Sequence, residues 1–137
     1  MKLNPYLQFN GDCAAAFKFY EQCLGGTILM MMTAGDSPMA AQVPPERKGD
    51  IIHARMAVGD ELLMGSDAMG GMYTPPAGFN VTLGFEDATE SERVFAALAE
   101  GGSVRMPIQE TFWAHRFGML VDRFGTPWMI NCEKQPE

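Results

Sequence analysis

The chain reads as an α+β protein made of two βαβββ modules whose paired mixed sheets enclose a cleft. Three observations predict this. An alternating strand followed by an amphipathic helix ending in Gly-Gly occurs twice, across residues 3–26 and again across 79–102. Each helix is followed by three more strand-like runs. Landmarks also recur in order: Phe9 with Phe85, Gly25-Gly26 with Gly101-Gly102, and "ELLMG" with "PWMIN".

Leu3, Pro5, Leu7 and Phe9 alternate with Asn4, Tyr6, Gln8 and Asn10. That is the period of a half-buried strand, and Pro5 is tolerable near its start or on an edge. In "GDCAAAFKFYEQCLGG" Asp12 is an N-cap, Ala16, Phe17, Tyr20 and Leu24 make the helical stripe, and the glycines stop it. "TILMMMTA" reads as a strand, and a proline- and glycine-containing loop runs from Gly35 to Gly49. "IIHARMAV" and "ELLMGSD" then form a hairpin across Gly59-Asp60. After a linker from Ala68 to Gly78, "FNVTLGFE" is the second module's first strand. "DATESERVFAALAEGG" is its helix, with Thr89 and Glu92 as a capping box. "SVRMPIQ" and two strands joined at "DRFGTP" complete it. The modules, residues 3–67 and 79–134, form a single domain over 1–137. Each sheet has one face for its own helix and one left over, and pockets commonly form where such leftover faces meet. If Leu7, Phe9, Leu83 and Phe85 face the helices, then Asn4, Tyr6, Gln8, Asn80 and Thr82 face the cleft.

Composition narrows the function. A chain of 137 residues can bury a core without staples. Its net charge of −7, with Arg47-Lys48 the only adjacent basic pair, argues against nucleic acid as a partner. No apolar run reaches membrane-span length, and "MKLNPYLQFNGD" is not a secretory signal, so a cytoplasmic setting is the default. Cys13, Cys23 and Cys132 form no CxxC pair. At about 1.5 Å rise per residue, Cys13 and Cys23 on one helix are too distant to bridge. Reduced, buried thiols are expected.

The stretch "QETFWAHRFGMLVDRFGTPWMIN" holds both tryptophans and His115. His115 and Glu110 are the catalytic candidates, since an acid–base pair of His115 with Glu110 or Asp122 is conceivable; the other reading is a polar strand edge. Strand alternation puts His115 and Arg116 on opposite faces, with His115 toward the cleft. Trp113 is placed to cap a bound ligand. Trp128 either fills core or closes the cleft, and Asp122 bonds turn amides. His53 shares a face with Arg55 and Ala57 and has no His, Cys or acid at i+2 or i+4, which favours a packed or hydrogen-bonded histidine. The methionines fill core, and those facing the cleft would give a soft apolar lining. The expected ligand-binding set is Tyr6, Gln8, His53, Asn80, Thr82, Trp113 and His115. Gly70-Gly71 belong to the linker, and no phosphate loop, nucleophile elbow or HExxH motif occurs.

"LNPYLQFNGDCAAAFKFYEQCLGG", "HARMAVGDELLMGSDAM" and the stretch above resemble the PhnB-like branch of the vicinal oxygen chelate superfamily, which includes glyoxalases and bleomycin-resistance proteins. The resemblance covers almost the whole chain. It implies the glyoxalase/bleomycin-resistance fold and a homodimer, in a branch whose members are mostly of unassigned activity. The superfamily's enzymes hold a divalent metal through one residue, usually His or Glu, on the first and last strand of each module. Here those places fall on Asn4 and Asn80, on Leu63 or Met64, and on Met129. Amide oxygen and thioether are poor ligands for such ions. The expectation is a binder of a small organic molecule, with no tightly bound metal and no cofactor. The alternative is a metal-dependent lyase, isomerase or dioxygenase of the vicinal oxygen chelate type.

Overall fold

The computed structural model describes residues 1–134. It divides into two compact units, Met1–Thr74 and Pro75–Glu137. The first contains β1 (Tyr6–Phe9), α1 (Cys13–Leu24), β2 (Thr27–Thr33), β3 (Ile51–Val58) and β4 (Glu61–Asp67). The second contains β5 (Val81–Phe85), α2 (Ala88–Ala99), β6 (Ser103–Gln109), β7 (Ala114–Val121) and β8 (Pro127–Glu133). The sheets run β1-β4-β3-β2 and β5-β8-β7-β6. In each, the first strand lies parallel to the last and the other pairs are antiparallel. These are two βαβββ modules with mixed sheets, as the repeat implies.

In the first unit, Leu7, Phe9, Phe17 and Tyr20 are buried, and the rings of Phe9, Phe17 and Tyr20 meet at centroid distances of 6.1–6.4 Å. Gly65 makes this approach possible: a Cβ there would lie 2.9 Å from the Phe17 ring. Gly118 does the same for Phe95 in the second unit, where a Cβ would sit 2.6 Å from the ring. Ser91, Val94, Phe95 and Leu98 are the buried side of α2. On α1, Cys23 is buried and Leu24 only half-buried, so the stripe ends one residue earlier than the periodicity suggests. Trp128 is core, 1% exposed.

Three local expectations are corrected. β1 begins at Tyr6 rather than Leu3, because Pro5 lacks an N–H and Leu3, 96% exposed, has nothing to pack on. The N-cap of α2 is Asp87, whose Oδ1 accepts from the Thr89 amide at 2.9 Å. Thr89 lies inside the helix and Glu92 reaches Arg116 instead, so the Thr89–Glu92 capping box does not form. The repeat is also offset by one residue in its last strand. Phe9 pairs with Asp67 and Phe85 with Cys132, so "LLMGS", not "ELLMG", matches "PWMIN". Side-chain parity requires the shift, since it brings the buried Leu63 and Trp128 into equivalent places.

Candidate functional site

Residues paired across a sheet share a face. In the first unit Tyr6 pairs with Met64, Met64 with Arg55, and Arg55 with Met30. Gln8 pairs with Ser66, and His53 with Met32. All of these lie opposite the helix-covered side carrying Leu7, Phe9, Ala54 and Met56. The Tyr6 hydroxyl and His53 Nδ1 are 3.2 Å apart across the sheet. Their rings stack with centroids 5.8 Å apart and planes inclined by 20°. With the phenol as donor, the imidazole proton sits on Nε2, which then offers a donor of its own. Tyr6 remains 43% exposed. Sequence reading names both residues but not their partnership, because the partner comes from another strand rather than from i+2 or i+4.

In the second unit Thr82 and Met119 both pair with Met129, while Gly84 and Phe117 both pair with Asn131. This face lies opposite Trp128, Ile130 and Cys132. Thr82 is exposed on it, and Asn80, just before β5, is half-buried. Asn131 is a residue that sequence reading passed over. Its Oδ1 is buried with no hydrogen-bond partner among the described residues. Trp113, 45% exposed, packs edge-on against Phe117 and Phe112 with centroids at 5.3 and 4.7 Å.

His115 is exposed and sits at a break in the ladder. Pairing steps from Ala114–Glu133 to Arg116–Cys132, so His115 is the extra residue of a β-bulge. Arg116 turns to α2, where Glu92 accepts from its Nε, and that bond holds the guanidinium pKa above its ordinary value. Glu110 pairs with Lys134 at 3.7 Å and makes no hydrogen bond to His115. Asp122 is engaged in the β7–β8 turn: Oδ1 accepts from the Phe124 and Thr126 amides at 2.8 and 3.0 Å, and Oδ2 accepts from Trp128 Nε1 at 2.8 Å.

A divalent metal does not fit the donor set. The positions that the resemblance assigns to a metal, Asn4, Asn80, Leu63 or Met64, and Met129, carry amides, thioether or alkyl rather than imidazole and carboxylate. Among the described residues no group of three or more His, Cys, Asp or Glu could hold a metal ion. The three cysteines are buried thiols outside any disulfide. Burial, followed by the charges of Asp67 and Asp12, pushes the Cys13 thiol pKa well up.

A second buried carboxylate holds backbone amides in the first unit. Asp67, 6% exposed at the end of β4, accepts from the Gly11 and Cys13 amides through Oδ1 at 2.9 and 3.0 Å and from the Ile51 amide through Oδ2 at 2.8 Å. It caps α1 from across the sheet, a task that Asp12 does not perform with its own side chain.

The model of the 3-demethylubiquinone-9 3-methyltransferase family matches residues 1–131. The chain belongs to that family. It is 38% identical to Protein YjdN of Escherichia coli (strain K12) over 98% of this chain and 97% of that one. Protein PA1353 from Pseudomonas aeruginosa has a similar structure, with TM-score 0.87 and 47% identity over 98% of this chain and 99% of that one. The PhnB protein from Bacillus cereus follows at TM-score 0.80 and 23% identity, covering 96% and 99%. At the level of fold alone, a glyoxylase/bleomycin resistance protein/dioxygenase domain from Frankia sp. EAN1pec superposes with TM-score 0.69 at 14% identity over 98% of both chains. The chain therefore shares its fold with the PhnB protein and with glyoxylase/bleomycin resistance proteins.

Proposed function

We propose that this family member binds a small organic molecule on the sheet faces opposite its helices, without a tightly bound metal. The observation that carries this is the Tyr6–His53 stack, hydrogen-bonded and partly exposed on a face that also bears Met30, Met32 and Met64. Stacked rings beside soft thioethers suit a flat, largely apolar ligand, with the imidazole as a polar anchor. Trp113 and the Asn131 amide oxygen, which has no hydrogen-bond partner among the described residues, give the second unit a matching combination of ring surface and polar contact. His115 and Glu110 remain candidates for chemistry, with His115 the better placed because its bulge leaves it outside the ladder. The methyl transfer in the family's name is not part of this reading, because none of these contacts is specific to it.

The test is organic extraction and mass spectrometry of the purified protein, followed by titration of whatever is recovered. Replacing Tyr6 or Trp113 with alanine is expected to weaken binding by about 2 kcal/mol, roughly thirtyfold, as for a buried aromatic anchor. Unchanged affinity in both variants would refute the placement. One equivalent of metal surviving dialysis, and lost in Asn80→Ala or His53→Ala, would restore the metal-dependent reading.

A further inference from the structure

A pocket of about 400 Å³ lies within the first unit, where the loop between β2 and β3 meets the residues after β4. We propose that it is a separate binding site for an uncharged, mostly apolar molecule carrying one carbonyl-type acceptor, which Arg47 engages. Its volume falls in the range of small-molecule sites, about 300–1,000 Å³. Met39, Val43, Ile51, Ile52 and Met69 supply apolar wall. None of Tyr6, Gln8, His53, Asn80, Thr82, Trp113 or His115 borders it.

The walls are held in place. Ala34 N–H donates to the Asp50 carbonyl at 2.8 Å, and Gly35 N–H to that of Lys48 at 2.9 Å, closing the loop at its base. The buried Ser37 hydroxyl donates to the Ala34 carbonyl at 2.7 Å and accepts from Met39 N–H at 3.1 Å. Asp67 fixes Ile51. A site made from such a loop is preorganised, which lowers the ordering cost of binding.

Charge selects the ligand class. Three charged side chains border the pocket: Arg47, Asp50 and Asp67. Asp67 is compensated by three amide donors and Asp50 by Arg47 at 3.4 Å. Neither carboxylate therefore calls for a cation. Both nevertheless oppose an anion. Arg47 donates from Nη1 and, among the described residues, makes no hydrogen bond through Nε or Nη2, so it has donors to spare. Surplus donors in an apolar pocket that repels free acids fit a ketone, ester or amide oxygen.

The experiment titrates the intact protein with prodan, a neutral naphthyl ketone whose emission shifts to the blue in apolar surroundings. Saturable binding is expected, weakened about tenfold in Arg47→Met, where the donor is lost. It should be abolished in Val43→Trp, where the indole fills the pocket. Met69→Trp blocks the same volume from an exposed position and serves if Val43→Trp does not fold by circular dichroism. Three results would each overturn the proposal: binding unaltered by the filled pocket, loss of binding in Tyr6→Ala, or tighter binding of the anion 8-anilinonaphthalene-1-sulfonate at this site than of prodan.

Discussion

Replacing Asp67 with alanine should be among the most damaging single changes in the chain. Its carboxylate is buried and accepts three backbone N–H bonds, from Gly11, Cys13 and Ile51. Hydrogen bonds to a charged group contribute about 1.5–3 kcal/mol each, or roughly 4.5–9 for three before desolvation of the carboxylate is counted. That desolvation costs several kcal/mol, so the intact arrangement is worth less than the sum. Deletion, however, leaves the amides without their acceptor, and breaking a buried charged network costs about 3–5 kcal/mol. Against a total of about 5–15 kcal/mol for a domain, that is a large share. With a urea slope of about 2 kcal/mol per M, the unfolding midpoint should fall by about 2 M. Circular dichroism in urea reads this directly. Asp67→Asn keeps one acceptor oxygen for Gly11 and Cys13 but turns an NH₂ toward the Ile51 amide, so an intermediate loss is expected. A loss below about 1 kcal/mol in Asp67→Ala would mean that the amides find other acceptors, and the reasoning would fail.

Asp122→Ala should lower stability by about 2–4 kcal/mol, since two turn amides and the Trp128 indole lose their acceptor, while ligand affinity is retained; equal affinity loss would place Asp122 in the site instead. The raised Cys13 pKa means that the folded state keeps a proton the unfolded state releases above the ordinary value of 9.0, so stability should fall as pH rises past that point. The contribution is about 1.4 kcal/mol per pH unit, and Cys13→Ala should flatten the slope measured by urea unfolding at each pH. A homodimer is expected in light scattering at micromolar concentration, because exposed Val104 and Met106 on the edge strand β6 are better covered than left wet; a sharp monomer mass would count against it.

The features legible in the sequence were those with a period. Alternation marked β1 and β5, the 3.6-residue stripes marked both helices, and Gly-Gly marked where they stop. What escaped depended on partners distant in sequence. The capping box "TESE" satisfies the local pattern, yet Asp87 holds the cap and Glu92 finds Arg116 on β7. The sequence marks Tyr6 and His53 separately, but only the register of β1, β4 and β3 makes them one unit. The segment from Gly35 to Gly49 looked like a connection because prolines and glycines carry no periodicity. Its role as a pocket wall depends on Asp50, Lys48 and Ser37 contacts that no spacing encodes.

The two modules solve the same capping problem in different ways, and the difference can be measured. Matching Phe9 to Phe85 makes Cys13 the counterpart of Thr89 and Asp67 the counterpart of Cys132. The Cys13 and Thr89 amides each donate to an aspartate Oδ1, at 3.0 and 2.9 Å. In the second module that aspartate is Asp87, two residues away, and the place of Asp67 is taken by a buried thiol. In the first module the cap comes from the end of β4 and also grips β3 at Ile51, so one carboxylate ties helix, sheet and pocket wall together. A local cap is worth about 0.5–2 kcal/mol. Asp87→Ala should therefore cost about 1 kcal/mol, well below the loss in Asp67→Ala. Hydrogen exchange should show the contrast in place as well as size. Losing Asp87 should speed exchange only in the first turn of α2, whereas losing Asp67 should release Gly11, Cys13 and Ile51 together. Equal costs, or release of Cys13 without Ile51, would show that the long-range cap does not couple the helix to the sheet.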